Sequence, residues 1–187
     1  MRKVTINKIL KKKGKEPIAC LTSYTKAMTE ILDKYCDIIL VGDSVGMVFY
    51  GMKNTKNVTM ENMILHGKAV KNAAKKSLVV VDMPYETYSN KFTAYKNALK
   101  LMKKTNCDAV KLEGGKNITN IIKYLVNRNI PVMGHVGLLP QTSKGFKIRG
   151  KRLIERKKIL NDAKSVSQSG VFAIVIECVI ESLAKEI

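Results

Sequence analysis

The chain has 187 residues, of which 45% are hydrophobic and 26% charged, which fits one globular domain and excludes a disordered or collagen-like protein. Its four cysteines lie far apart and form no CxxC pair, so reduced, buried thiols are expected, and a disulfide framework or zinc site is not. The formal net charge of +19 comes mostly from dispersed lysines, and arginine is scarce, which disfavours a nucleic-acid partner.

No targeting signal is expected in the N-terminal region. Apolar runs are shorter than the roughly 18 residues that a membrane span needs, and MRKVTINKILKKKGKEP contains no apolar signal core. A soluble, cytoplasmic protein without a membrane partner is therefore expected. The one dense run of lysines follows Leu10 and surrounds Gly14, and a loop is predicted there; its members are Lys11, Lys12, Lys13 and Lys15.

Short apolar runs rich in β-branched residues alternate with segments of helical periodicity, the pattern of a parallel α/β sheet or barrel. The predicted strands cover 19–24, 37–43, 78–82, 109–113, 131–135 and 172–177. The predicted helices cover about 23–35, 59–74, 92–105, 118–127 and 151–170, each with apolar residues three and four positions apart. Thr59 is expected to cap its helix, and Gly170 to end the last one.

The predicted loops differ in length at the two ends of the strands. The connection at 105–108, from a helix to a strand, is short, whereas the segments 44–57 and 137–150, which follow strands, are long. Functional sites of α/β proteins lie in the loops after the strands. No GxGxxG or GxxxxGK[ST] pattern is present, so a nucleotide cradle is not indicated.

Five of the six predicted strands end in a residue that can ligate a metal or move a proton, namely Asp43, Asp82, Glu113, His135 and Glu177. In a parallel barrel these ends converge on one mouth. Lys111 is expected to enter the same mouth, because side chains two positions apart share a strand face. Taken singly, each acid could instead be a solvated strand end or a helix cap, and His135 could be a structural histidine. His66 is expected to pack or cap.

Grouped carboxylates repel one another, and a hard divalent cation such as Mg²⁺ compensates them. A cation bound in this way can polarise a carbonyl oxygen, so that the adjacent C–H becomes acidic. A further carboxylate such as Glu177 could then accept that proton.

Six segments, in the same order along the chain, closely resemble the ketopantoate hydroxymethyltransferase family. They are VGDSVGMVFYG (41–51), NVTMENMILHGKAV (57–70), VVVDMPYETY (79–88), AVKLEGG (109–115), IPVMGHVGLLPQ (130–141) and IVIECVIESLAKEI (174–187). The resemblance implies a magnesium-dependent (βα)8 TIM barrel that transfers a hydroxymethyl group from 5,10-methylenetetrahydrofolate to 3-methyl-2-oxobutanoate, giving 2-dehydropantoate in pantothenate synthesis. It also implies a homo-oligomer, commonly a decamer.

The resemblance also implies roles for individual residues. Asp43, Asp82 and Glu113 are similar to the family's magnesium-site carboxylates. The residues similar to those that contact the ketoacid are Asp43, Ser44, Asp82 and Lys111. Glu177 resembles the catalytic base. His135 is a possible further site residue.

Two residues and the length depart from the family pattern. Thr25 stands where the family usually has Asp, and Arg149 where it usually has Gln. A full barrel needs about 250 residues, so residues 1–187 are predicted to form a single, incomplete barrel domain with about six of the eight βα units. The expectation is an N-terminal part of a longer polypeptide or a shortened form, with two exposed strand edges.

Two alternatives remain at this stage. The first is another magnesium-dependent enzyme of the phosphoenolpyruvate and pyruvate barrel type, which makes or cleaves a C–C or P–C bond of a 2-oxo acid. The second is a non-catalytic basic fragment that binds nucleic acid through its lysines.

Overall fold

A parallel sheet organises the chain. The computed structural model describes residues 3–143 and 145–187; residues 1 and 2 of the predicted domain and residue 144 of the predicted loop 137–150 lie outside them. Six strands, all parallel to their neighbours, follow one another in chain order and form a curled half-barrel. The strands are β1 (Cys20–Thr22), β2 (Ile38–Val41), β3 (Leu78–Asp82), β4 (Ala109–Glu113), β5 (Val132–Gly137) and β6 (Ala173–Glu177).

Helices precede, connect and follow the strands, and several of them cover the outer face of the sheet. They are α1 (Ile6–Lys12), α2 (Lys26–Leu32), α3 (Val45–Val48), α4 (Met60–Ala73), α5 (Lys91–Thr105), α6 (Thr119–Val126), α7 (Leu153–Ser167) and α8 (Glu181–Ala184), with 3-10 turns at Thr55–Asn57 and Lys116–Ile118. Thr59 caps α4 as predicted, in a reciprocal pair of hydrogen bonds with Asn62. None of the helices in the described ranges is both long and apolar enough to cross a bilayer.

The predicted α/β barrel architecture is confirmed, and the bounds of β3 and β4 agree with the prediction. Asp43 does not end a strand, because β2 stops at Val41 and a turn follows. His135 lies inside β5, which continues to Gly137. These shifts leave both residues at the same end of the sheet.

The prediction of a loop at the N-terminal lysine run was wrong over Lys11 and Lys12, which belong to α1. Thr5 caps this helix, and Ile9 is only 2% exposed. Ile9 packs with Ile38, Leu78 and other interior residues near the N-terminal ends of the strands. Helix α1 therefore closes the barrel interior opposite the strand ends that carry the acidic residues.

The interior face of the sheet changes from apolar to charged along β3 and β4. In β3 the interior residues Leu78 and Val80 are followed, two positions on, by Asp82; in β4 Ala109 is followed by Lys111. The alternate residues, such as Val79 and Val81, belong to the larger core beneath the helices. The charged groups therefore lie next to the buried apolar residues of the interior, toward the C-terminal ends of the strands.

The sheet has two open edges, as predicted. Within the described residues, β1 pairs with β2 alone and β6 with β5 alone. A groove of about 800 Å³ lies along β6 and is lined in part by Ile18, Phe172, Ile174 and Ile176.

All four cysteines are free, as predicted, but the expectation that all are buried was wrong. Cys36 and Cys107 are buried, whereas Cys20 and Cys178 are exposed. Cys20 lies on the open edge strand β1, and Cys178 follows β6 in a left-handed conformation with φ of +50°.

Candidate active site

The polar strand-end residues converge at one mouth of the half-barrel. Asp82 pairs in register with Lys111, and Glu113 with His135 on the next strand. Gly137 of β5 pairs in register with Glu177, so Glu177 lies at the same end of the sheet as the other polar residues. The predicted convergence of these residues is therefore present in the fold.

Lys111 is the cationic group buried among the carboxylates. Its Nζ lies 2.7 Å from Asp82 Oδ2 and 4.0 Å from Glu113 Oε1. Burial by itself lowers the pKa of Lys111, but the neighbouring carboxylates, Asp82 foremost, outweigh burial and raise it. Lys111 therefore remains charged at neutral pH.

Burial and the charge of neighbouring carboxylates raise the pKa of two of the carboxyl groups into the neutral range. Burial, followed by the charge of Asp82, raises the pKa of Asp43 to about 7. Burial also raises the pKa of Glu113 to about 8, although Lys111 opposes this shift. The Asp43 N–H lies 3.2 Å from Asp82 Oδ2, which shows how closely the two loops approach. The single positive charge of Lys111 cannot balance the negative charges that all three carboxyl groups would carry if they were ionised.

One oxygen of each carboxylate is held by a protein donor. Gln141 Nε2 donates to Asp43 Oδ2 (2.7 Å), the Gln141 N–H donates to Glu113 Oε2 (3.1 Å), and Lys111 holds Asp82 Oδ2. The other oxygen of each accepts no hydrogen bond from the residues that the structure describes, and Asp82 Oδ1 is buried without a partner. In 3–143 and 145–187, however, no three His, Cys, Asp or Glu side chains already form a metal-ligand cluster.

His135 and Glu177 lie side by side at the same mouth. His135 Nε2 donates to the Leu138 carbonyl (2.8 Å) and is 3.5 Å from Glu177 Oε2. Burial and then the charge of Lys111 lower the pKa of His135 to about 3, so the ring is neutral. Its unprotonated Nδ1 is buried, accepts no hydrogen bond from the residues that the structure describes and lies 3.6 Å from Glu113 Oε1. Glu177 is 30% exposed, and burial raises its pKa.

Ser44 lies at the rim, directly before α3. Its hydroxyl is 2.7 Å from the Tyr24 hydroxyl. The Tyr24 carbonyl in turn accepts from His66 Nδ1 (2.7 Å), and His66 Nε2 accepts from Tyr50 (2.6 Å). His66 thus has the packing role predicted for it.

The two departures from the family pattern occupy structural positions. The Thr25 side chain accepts the Met28 N–H and caps α2, a role that Asp also fills well. The Arg149 N–H donates to the Cys178 carbonyl (2.7 Å), and its carbonyl accepts from Ile180 (3.1 Å). Arg149 therefore joins the loop after β5 to the segment that follows Glu177.

Gln141 and Tyr88 are site residues that the sequence did not single out. Gln141 is 2% exposed, and its amide contacts Asp43, the Met83 carbonyl (2.9 Å) and the Tyr88 hydroxyl. The only sequence signal was a polar residue directly after the apolar stretch VGLLP, inside a loop that the strand-end argument already marked.

Comparison with known families decides what this site belongs to. The family model described as ketopantoate hydroxymethyltransferase matches residues 3–187. The chain belongs to the ketopantoate hydroxymethyltransferase family. A 3-methyl-2-oxobutanoate hydroxymethyltransferase of Pelagibacter ubique is 53% identical over all of this chain and 72% of its own length. One of Anaplasma marginale is 54% identical over 94% of this chain and 65% of its own length. The chain thus spans about two thirds of these hydroxymethyltransferases.

Solved structures support the fold assignment. A phosphonopyruvate hydrolase in complex with oxalate and Mg²⁺ superposes with a TM-score of 0.69 at 11% identity, covering 92% of this chain and 63% of the hydrolase. A 2,3-dimethylmalate lyase of the PEP mutase/isocitrate lyase superfamily superposes with a TM-score of 0.69 at 12% identity, covering 98% of this chain and 65% of the lyase. At such identities the likeness concerns the fold alone.

Proposed function

We propose that this chain carries the active site of a magnesium-dependent 3-methyl-2-oxobutanoate hydroxymethyltransferase. The reaction takes a one-carbon unit from 5,10-methylenetetrahydrofolate and, with water, gives 2-dehydropantoate and tetrahydrofolate. The observation that carries the proposal is the convergence of Lys111, Glu177 and three carboxylates at one mouth, in a chain about half identical to enzymes of that name.

The donor set fits a hard divalent cation. Asp43, Asp82 and Glu113 each keep one oxygen that accepts no hydrogen bond from the described residues, and that oxygen of Asp82, Oδ1, is also buried. Mg²⁺ commonly binds through one or two carboxylates and retains water ligands, so a complete protein cage is not required. A cation would also relieve the repulsion that raises the pKa of Asp43 and Glu113.

Mg²⁺ held by Asp43, Asp82 and Glu113 would supply Lewis acidity toward the 2-oxo group of the ketoacid. Lys111 contributes a positive charge in a buried position. Because water is largely excluded there, this charge stabilises the negative charge that develops on the substrate more strongly than it would in solvent. Ser44, held by Tyr24, offers a hydroxyl to the ketoacid at the rim. These groups orient the substrate and lower the free energy of its deprotonated form.

Glu177 is the proposed base. It is half-buried at the end of β6, close to the mouth but outside the carboxylate cluster, so it can reach C3 of a ketoacid bound beside Lys111. Its raised pKa makes it a better proton acceptor than an exposed glutamate. The resulting C3 carbanion bonds to the methylene carbon of the folate, and both C–N bonds of that carbon break, one displaced by C3 and the other by water. The water oxygen becomes the hydroxyl of 2-dehydropantoate, and the C3 proton and one water proton end on the two nitrogens of tetrahydrofolate.

The test is formation of 2-dehydropantoate from both substrates, followed by mass spectrometry. Glu177→Gln should lower the rate by about 10² to 10⁴. Glu181→Gln, a matched change at an exposed residue in α8, should leave the rate unaltered. Equal rates in the two variants would remove Glu177 from the mechanism. Turnover of phosphonopyruvate or 2,3-dimethylmalate instead of 3-methyl-2-oxobutanoate would refute the proposed substrate.

The proposal includes a homo-oligomer, a decamer by resemblance to the family. Several large apolar side chains on neighbouring elements are exposed, among them Ile31, Val48, Phe49 and Leu65. Multi-angle light scattering would test this part, and a monomer at micromolar concentration would contradict it.

A further inference from the structure

Gln141 lies at the centre of the carboxylate cluster, although it belongs to the loop between β5 and α7. Its side-chain Nε2 donates to Asp43 Oδ2 (2.7 Å) and to the Met83 carbonyl (2.9 Å). Its Oε1 accepts from the Tyr88 hydroxyl, and its N–H donates to Glu113 Oε2 (3.1 Å). A single residue therefore holds two of the three carboxylates.

The chemistry of these partners requires an amide at position 141. A carbonyl can only accept, so the group that faces Met83 must be the NH₂ of the amide. Both of its hydrogens are then used, one on Met83 and one on Asp43. A glutamate would place oxygen against two acceptors, and an apolar residue would leave the buried Asp43 Oδ2 without its donor.

Tyr88 extends the same network to the backbone of β4. Its hydroxyl lies 3.3 Å from the Glu113 N–H, which can donate to it, and its own proton goes to Gln141. Burial raises the pKa of Tyr88, so the hydroxyl keeps that proton. Tyr88 is 9% exposed and Gln141 2%, so no bulk water competes for these bonds.

Because one oxygen of Asp43 and one of Glu113 are fixed, neither carboxylate is free to rotate, and the second oxygen of each has a defined direction. We propose that Gln141 is a positioning residue that orients the Asp43 and Glu113 carboxylates toward a divalent cation. The inference rests on the proposed function, because that function places the cation at this mouth. Partners that orient metal ligands in this way commonly contribute about 10- to 100-fold to metal affinity.

The alternative is that Gln141 only anchors its loop to Met83 and Tyr88. The two roles differ in what they predict for a cation measured without turnover. Mn²⁺ serves as the probe, because its electron paramagnetic resonance spectrum reports both the bound fraction and the symmetry of the bound ion. A residue that only anchors the loop would change the thermal stability and leave the Mn²⁺ affinity and spectrum unchanged.

The experiment compares Mn²⁺ binding by the unaltered chain with binding by Gln141→Met, which preserves length and volume. Gln168→Met, the same change at an exposed residue after α7, is the matched control. We expect the Mn²⁺ affinity to fall about 10- to 100-fold in Gln141→Met, with a broadened spectrum, and to remain constant in Gln168→Met. Circular dichroism establishes that each variant is folded.

A folded Gln141→Met chain that binds Mn²⁺ within about twofold of the unaltered chain would overturn the inference. If this variant fails to fold, Tyr88→Phe replaces it; this change removes the donor to Gln141 Oε1 together with the longer contacts of the hydroxyl with the Glu113 backbone. A lower Mn²⁺ affinity supports the inference and an unchanged one overturns it. Failure of the proposed function has a different signature. It is the absence of 2-dehydropantoate formation by the unaltered chain, whatever the effect of Gln141→Met on Mn²⁺.

Discussion

Lys111 Nζ lies 2.7 Å from Asp82 Oδ2, and both side chains are at most 5% exposed. This pair places one positive charge next to a cluster of three carboxylates. Because a buried charge without its partner costs several kcal/mol, the pair is needed for the stability of the metal-free site as well as for the proposed chemistry.

Lys111→Met is therefore expected to destabilise the metal-free chain by about 3 to 5 kcal/mol at pH 8. The loss should be smaller at pH 5, because Asp43 and Glu113 can then be protonated and no longer repel Asp82. Urea unfolding at the two pH values measures both effects. A Lys111→Met chain as stable as the unaltered chain at pH 8 would show that Lys111 does not compensate the cluster.

The free energy of unfolding should depend on pH in an unusual direction. The folded-state pKa values of Asp43 (about 7) and Glu113 (about 8) are above their ordinary values, so the folded chain binds more protons than the unfolded chain up to those pH values. The stability these groups give is present at low pH and is lost as the pH rises through about 7 to 8. His135, with a pKa of about 3, opposes this only below its ordinary value of 6.5.

The informative window is thus pH 7 to 8, where His135 is neutral in the folded chain and mostly neutral in the unfolded chain. We expect the stability of the metal-free chain to fall across this window, and Glu113→Gln to reduce the slope. Millimolar Mg²⁺ should flatten the dependence, because cation binding favours the ionised carboxylates. Thermal unfolding with and without EDTA measures this, and stability that rises with pH across the window would contradict it.

Asp108, directly before β4, joins β3, α4 and the segment that precedes α1. It accepts the Val79 N–H (2.9 Å), Lys71 and Lys3, and burial, which would raise its pKa, is outweighed by these partners, so the pKa is lowered. Asp108→Asn should cost about 2 kcal/mol, because it weakens charged hydrogen bonds to a largely buried lysine. Glu30→Gln, in the exposed pair with Lys26, should cost less than about 0.5 kcal/mol. Equal losses in urea unfolding would contradict this difference.

Gly134 allows α7 to approach β5 closely. A Cβ at this position would lie 2.4 Å from Val166 Cγ1, so one of the two elements would have to shift. Gly134→Ala should destabilise the chain by about 1 to 3 kcal/mol. Gly134→Ala combined with Val166→Ala should cost less than the sum of the two single changes, because Val166→Ala removes the clashing methyl groups. If the double variant is less stable than the sum of the single changes predicts, the loss has another cause.

Strand order and the polar strand ends could be predicted from the sequence, because period-two burial and the alternation with helices leave little freedom. The β3 run VVVD and the β4 run AVKLE fix which residues face the interior, and so Asp82, Lys111 and Glu113 were identified correctly as neighbours. The proximity of Asp43 also followed, although β2 ends earlier than predicted.

Features that depend on tertiary contacts could not be predicted. Helix α1 is rich in lysine, and its packing depends on Ile9, which finds its apolar partners on strands far along the chain. Gln141 lies in a loop without periodicity, and only the folded chain shows that its amide reaches Asp43, 98 residues away. The exposure of Cys20 depends on the open edge at β1, which the apolar run ACLT does not reveal.

Hydrogen–deuterium exchange at C3 of 3-methyl-2-oxobutanoate, followed by NMR without folate, shows whether the residues at this mouth deprotonate the ketoacid. The chain by itself and the chain extended by the C-terminal portion of the Pelagibacter ubique relative are compared, each with Mg²⁺ or EDTA. We predict exchange that requires Mg²⁺ and falls about 10² to 10⁴-fold in Glu177→Gln. Exchange that is absent from both folded chains, or equal in Glu177→Gln, would contradict the account.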